Sequence, residues 1–372
     1  MEATKMKEII KHSILLMLCL SLTLTILPSS AEVIVNEKIL DSTADSVTVM
    51  DEVGRTVTID LPIKSIIATD ARQMETLLAM GAEDMIVGVD VSYHTHYPFL
   101  GLKDAPEVSQ HAKGIDYEKV LMQGADLVIV PKSQGATADE ISEKLKGVPV
   151  LAFDLGHRNH IIPEVQILGE ILGKKTEAEK LINWIQKYDA IVDDRTRDLK
   201  PEEMPTFYYE ATATSSKWKA NVPSSRAGVV AEGCGGRNIA ADLEYNDTVS
   251  SIEVDPEWIL TQDPDYIFLD FHSGKSGVGK TVDDVKDALQ IMIDERAKDG
   301  IANVTAIRDN HVYAMDYDYV AGPRWIVGHV CCAKWLHPDL FADLDPEKIN
   351  SEFLSEFLGV DNLEGTWVYP HP

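Results

Sequence analysis

Cations and aromatic side chains recur where short apolar runs end. Such runs read as buried strands, and in α/β folds the loops after strand ends carry the binding groups. The first of these loops holds Arg72, and the next holds Tyr93, His94, His96 and Tyr97. Lys132 follows the run ending at Val130, and His157 and Arg158 follow the run ending at Phe153. The second half of the chain supplies Tyr209, Trp218, Phe271, His272, Tyr319 and Arg324. Guanidinium and ammonium groups fix the anionic atoms of a ligand, and aromatic rings give area for an organic body. This is the chemistry of recognition.

Each residue also has a structural use. Arg72 can pair with Glu75 on its own helix, and Tyr93 and Tyr97 can fill a surface loop. His94 and His96 would project from the same side of a strand as a metal half-site, but the sequence fixes no second ligand cluster in space beside them. Arg324 opens a helix, where the dipole disfavours a cation, so a ligand or a partner on another part of the fold is expected for it. Catalytic motifs are missing: there is no G-x-S-x-G, no G-x-x-x-x-G-K-[ST] and no H-E-x-x-H. Gly274-Lys-Ser-Gly277 looks like the end of a phosphate loop, but Leu269 stands where the required glycine would be. Two further classes, a metalloenzyme or a free-metal binder using His94, His96, His157 or His272, stay open as alternatives.

The elements that position these groups alternate. Runs at 47–50 and 56–59 flank an acidic, Gly-containing turn and predict a β-hairpin. Strands are expected at 65–68, 85–89, 127–130 and 148–153, with helices at 73–80, 117–123 and 138–145 between them. The second half repeats the rhythm: strands at 206–209, 266–269 and 312–315, and helices at 226–232, 257–262, 282–296 and 325–336. Alternation of this kind implies parallel sheets. The segment 116–130 aligns without gaps on 255–269, matching Asp116 with Asp255, Glu118 with Glu257 and Asp126 with Asp265. Between the halves, Thr176 and Glu179 suggest a capping box at the head of a helix reaching about Arg195. One long helix joining two lobes would act as a strut.

The chain has 372 residues and a net charge of −27, which argues against nucleic acid as a partner. Lys5, Lys7 and Lys11 precede an apolar run over 14–27 and small residues at 29–31, the pattern of an export signal. An uncleaved anchor is the alternative. Beyond it, Cys234, Cys331 and Cys332 are too few and too unevenly spaced for a disulfide scaffold, so buried thiols are expected.

In order and spacing, these segments resemble the substrate-binding proteins of ABC importers for ferric siderophores, haem and cobalamin. The matching parts are Asp51-Glu-Val-Gly-Arg-Thr-Val57 with Pro62, Leu77-Leu-Ala-Met-Gly-Ala-Glu-Asp-Met-Ile-Val-Gly-Val89, Ala125-Asp-Leu-Val-Ile129 and Leu168-Gly-Glu-Ile-Leu-Gly173. Further on come Gly233-Cys-Gly-Gly-Arg-Asn-Ile-Ala240, Pro264-Asp-Tyr-Ile-Phe268, Gly322-Pro-Arg324 and Leu336-His-Pro-Asp-Leu-Phe341. The resemblance implies an α/β protein of two lobes, with mainly parallel sheets, one connecting helix and a ligand cleft between the lobes. The divisions expected are a signal peptide at 1–31, an N-terminal lobe at 45–160, the connecting helix at 161–200, a C-terminal lobe at 201–341 and an acidic tail at 342–372. It further implies a monomeric, non-enzymatic, extracytoplasmic receptor with no resident cofactor, which hands a small-molecule metal chelate to the membrane subunits of an ABC permease. Arg72, Lys132, Arg158 and Arg324 would suit an anionic ferric chelate, while the aromatic residues would suit haem or cobalamin equally. In the resembled family an acidic residue on each lobe docks onto permease arginines, and Glu118 and Glu257 stand at those places.

Overall fold

A computed structural model of the chain describes residues 35–110, 114–132, 136–246, 249–272 and 274–372. The expected export signal lies outside the described residues. The chain opens with three antiparallel strands, Lys38–Ser42, Ser46–Met50 and Thr56–Asp60. Strict alternation in the last of these buries Val57 and Ile59 and leaves Thr56, Thr58 and Asp60 in water.

The first lobe is built on five parallel strands, in the spatial order Glu107–Gln110, Ile86–Asp90, Ile66–Ala68, Leu127–Val130 and Val150–Ala152. Gly114–Ile115 closes one edge antiparallel. Helices cover both faces, so the central strands are apolar throughout: all four side chains of Leu127–Val130 are buried. In the second lobe Thr206–Glu210, Tyr266–Phe271 and Val312–Asp316 run parallel, with antiparallel strands at the margins.

The connecting helix is Lys175–Thr196, 22 residues and about 33 Å long. Its buried stripe, which includes Ala178, Leu181, Ile185, Tyr188 and Val192, follows the helical repeat. The expected Thr176–Glu179 capping box does not form: the helix starts after Lys174, with no side-chain cap. Tertiary packing sets that start. The preceding helix Ile161–Ile171 turns back through Gly173 in the left-handed conformation, and a Cβ on Gly169 would lie 2.6 Å from Ala178.

The segment 342–372 is not a tail. Pro346–Leu358 is a helix that buries Ile349, Phe353 and Leu354, and Phe353 packs on Trp184 of the connecting helix at 5.2 Å between ring centroids. Val368–Tyr369 then adds an antiparallel strand beside Val312–Asp316. The acidic residues stay on the outside of this helix while its apolar stripe completes the core. Cys234, Cys331 and Cys332 are buried and unbridged.

Candidate functional site

The loops at the carboxyl ends of the parallel strands face one another across the two lobes. From the first lobe come Asp70, Arg72, Glu75 and Asp154. From the second come Arg226, Tyr317, Asp318, Gly322 and Arg324. Asp70 caps the helix Ala71–Ala79 by accepting the amide of Arg72, which sets Arg72 at the loop's end. Arg72 lies over the Tyr317 ring at 4.6 Å and reaches Asp318 at 4.0 Å. Arg226 crosses the other way: its Nε donates to Asp154 Oδ2 at 3.1 Å and its Nη1 to the Tyr317 hydroxyl at 3.0 Å. Two guanidinium groups from opposite lobes therefore meet on one tyrosine. His272 packs against the same ring, with centroids 4.5 Å apart and planes tilted by 32°, and is held by Asp270 at 3.0 Å.

Beside this group lies a fully buried cross-lobe pair. Arg324 Nε donates to Glu75 Oε1 at 2.7 Å, and the Tyr97 hydroxyl donates to Glu75 Oε2 at 3.2 Å. Burial pushes the Glu75 carboxyl up to about 7 although Arg324 pulls it down. Asp318 behaves in the opposite way. Burial would raise it, but the hydrogen bond from His96 and the charges of Arg324 and Arg72 outweigh burial and hold it at about 2. The lobes approach to backbone contact here: a Cβ on Gly156 would lie 2.5 Å from the Gly322 nitrogen.

Of the residues expected to bind ligand, Arg72, His272 and Arg324 lie at this junction. Arg324 serves the other expected role, an inter-lobe partner. His157 sits at the margin with Nε2 3.3 Å from the Ser224 carbonyl, and burial lowers it to about 4. Lys132 is exposed, next to residues outside the description. Several others take different places. Tyr93 and Tyr97 are on no surface loop. Asp90 caps a helix, Val91–His96, and both rings are buried, the Tyr93 hydroxyl donating to the Gly101 carbonyl at 2.8 Å. That helix also separates the two histidines: His94 turns to Glu107 and His96 to Asp318. Tyr209 and Phe271 are fully buried, because their strands are covered on both faces. Trp218 packs over Arg296, whose guanidinium pairs with the buried Glu210. Tyr319 is buried against Trp367. Arg158 braces the connecting helix instead of a ligand, pairing with Asp189 at 2.9 Å and Asp193 at 3.0 Å. Those two aspartates and His329 are close enough to share a metal ion, but Arg158 already supplies the positive charge there.

Sequence reasoning missed Arg226 and its partner Asp154. The signal was present, since Arg226 opens the helix Arg226–Glu232, the same placement against the dipole that marked Arg324. Glu118 and Glu257 are both exposed in the first turns of matching helices, Tyr117–Gln123 and Pro256–Gln262.

The periplasmic binding protein family profile matches residues 66–319. An uncharacterized ABC transporter substrate-binding lipoprotein of Bacillus subtilis, YvrC, is 24% identical over 306 residues, covering 80% of this chain and 87% of that one. The molybdate-binding protein MolA of Haemophilus influenzae is 23% identical over 349 residues, covering 83% of this chain and 90% of that one. Among solved structures, the TroA-like periplasmic binding protein FepB of Veillonella parvula superposes with a TM-score of 0.71 at 22% identity, covering 87% of this chain and 99% of that one. With two α/β lobes on one connecting helix, and a family match running through both, this chain belongs to the periplasmic binding protein family.

Proposed function

We propose that this protein is the extracytoplasmic substrate-binding component of an ABC importer and that its cargo is an anionic ferric chelate of the siderophore type. The observation that carries the reading is the meeting of Arg72 and Arg226, from opposite lobes, on Tyr317. Paired guanidinium groups are suited to carboxylate or catecholate oxygens, and an aromatic ring between them suits an organic shell. Here Asp154 and Asp318 occupy the guanidinium faces that a cargo anion would take. Cargo then favours the state in which both lobes contact it.

A smaller oxyanion is the second reading. The close approach of Gly156 and Gly322 favours it, and MolA is a molybdate-binding relative. Titrating the protein with ferric siderophores, haem, cobalamin, molybdate and free ferric and zinc ions, read by tryptophan fluorescence, separates these. Saturation by a ferric siderophore supports the first reading, and saturation by molybdate the second. A response to haem, cobalamin or free ions alone would overturn both.

Delivery requires a docking face. Glu118 and Glu257 are exposed on matching helices, beside the exposed apolar residues Leu121, Met122 and Leu260. In this reading the two glutamates meet permease arginines. Reversing both charges should abolish uptake and leave cargo binding intact; unchanged uptake would sink the docking role.

A further inference from the structure

Arg324–Glu75 and Arg226–Asp154 both cross between the lobes, and they differ in burial. The first pair is shut off, with side chains 1% and 0% exposed. Arg226 and Asp154 keep 21% and 12% of their side chains in contact with water. Their contact is bidentate. Asp154 Oδ1 accepts from Arg226 Nη2 at 2.5 Å and Oδ2 accepts from Nε at 3.1 Å, while Nη1 donates to the Tyr317 hydroxyl at 3.0 Å. All three nitrogens of Arg226 are engaged, so a cargo oxygen gains the Nε–Nη2 edge only by displacing the carboxylate. Arg72 differs: it holds Asp318 no closer than 4.0 Å, too far for a hydrogen bond. Internal competition at the junction therefore falls on Arg226.

The loop that carries Asp154 is braced by other contacts. The amides of Asp154 and Leu155 donate to Glu164 Oε1 at 2.8 Å and Oε2 at 2.7 Å. The Asp154 side chain can thus turn away from Arg226 while its backbone stays in place. We propose that Asp154 is a specificity-determining residue: a built-in anion that occupies Arg226 until a cargo anion takes its place. This rests on the capture of an anionic cargo at the junction. A carboxylate tethered this way competes at an effective concentration on the order of millimolar or higher. A lone external carboxylate does not outcompete it, whereas an anion that also engages the first lobe does. Asp154 thereby sets the affinity threshold that a cargo must pass.

Isothermal titration calorimetry with ferric enterobactin, ferric citrate and molybdate tests this at about 0.15 M salt, where the diffuse field of an acidic surface is screened. A residue that only held the site together would weaken binding when replaced; a competitor strengthens it. Asp154→Asn and Asp154→Ala should therefore bind the anion that the wild type binds about tenfold more tightly, the worth of one charge-assisted hydrogen bond. The gain should vanish when Asp154→Asn is combined with Arg226→Ala. Glu143→Gln, the same charge change on an exposed helix of the first lobe, should leave affinity unaltered. Saturation of Asp154→Asn by an anion to which the wild type is silent would also support the competition. Binding by the wild type with no gain in either Asp154 variant, a gain that persists without Arg226, or an equal gain in Glu143→Gln would overturn it and leave the anionic-cargo reading standing. Silence of the wild type and both Asp154 variants toward all three anions would overturn that reading and this inference with it.

Discussion

Asp126 in the first lobe and Asp265 in the second play the same part. Asp126 accepts the amides of Lys64 and Ser65, and Asp265 accepts the amide and hydroxyl of Thr206. Each fixes the start of the neighbouring parallel strand. The two lobes thus share a backbone solution written into matching residues. Their facing surfaces do not match. The first lobe brings Asp70, Glu75 and Asp154 with one arginine, and the second brings Arg226, Arg324 and Tyr317 with Asp318. The shared aspartates anchor the scaffold, while the junction depends on what each lobe does not share with the other.

The largest break in this comparison is the buried cross-lobe pair. Arg324→Ala leaves Glu75 without its cation in the interior, and breaking such a pair costs about 3–5 kcal/mol. Thermal or urea unfolding should show it; a loss below about 1 kcal/mol, the scale of an exposed pair, would mean that the lobes do not close on each other in solution.

Two buried acids, Glu52 on the first lobe and Asp318 on the second, should respond to pH with opposite signs. Burial, with Asp154 nearby, pushes Glu52 of the first lobe from 4.5 up to about 7. A raised acid contributes stability that is present below 4.5 and lost as pH rises through about 7. Asp318 of the second lobe is held at about 2, so its contribution is present above 3.8 and lost as pH falls through about 2. Glu52→Gln should flatten the stability profile on the neutral side, and Asp318→Asn on the acid side. Urea unfolding across pH reads both, and identical profiles for the two variants would refute the assignment.

Smaller changes sharpen the likeness. Asp126→Asn and Asp265→Asn should each cost about 1 kcal/mol, since each weakens a charge-assisted strand anchor. A twofold or larger difference between these costs would show that the anchors are not equivalent. The mildest change is Asp263→Gly. Asp263 ends its helix at φ 45°, where the first lobe has Gly124 at φ 63°. Glycine relieves that conformation, but the change removes the carboxylate that accepts from Thr305, so a net change within about 1 kcal/mol is expected in unfolding measurements.

Local rules made the scaffold legible. The helices Arg226–Glu232, Val282–Arg296 and Trp325–Leu336 follow from apolar period, with serine or threonine caps on the first two. The site was legible only in part, because its decisive contacts are remote in the chain. Glu75 and Arg324 are 249 residues apart, and nothing local to either names the other. Tyr93 and Tyr97 read as surface residues because their neighbours are polar, yet the cap at Asp90 turns the segment into a helix that points both rings inward. The last 31 residues read as a tail because their acids mask an apolar stripe at Ile349, Phe353 and Leu354.

Arginines from both lobes are proposed to hold an anionic cargo. The most direct test is a fluorescence titration with a ferric siderophore of wild type beside Arg226→Ala, whose partners Asp154 and Tyr317 both lie at the junction. Saturable binding by the wild type is expected, with at least about a tenfold loss in the variant, the worth of one charge-assisted contact. Equal affinity in the two proteins would contradict it.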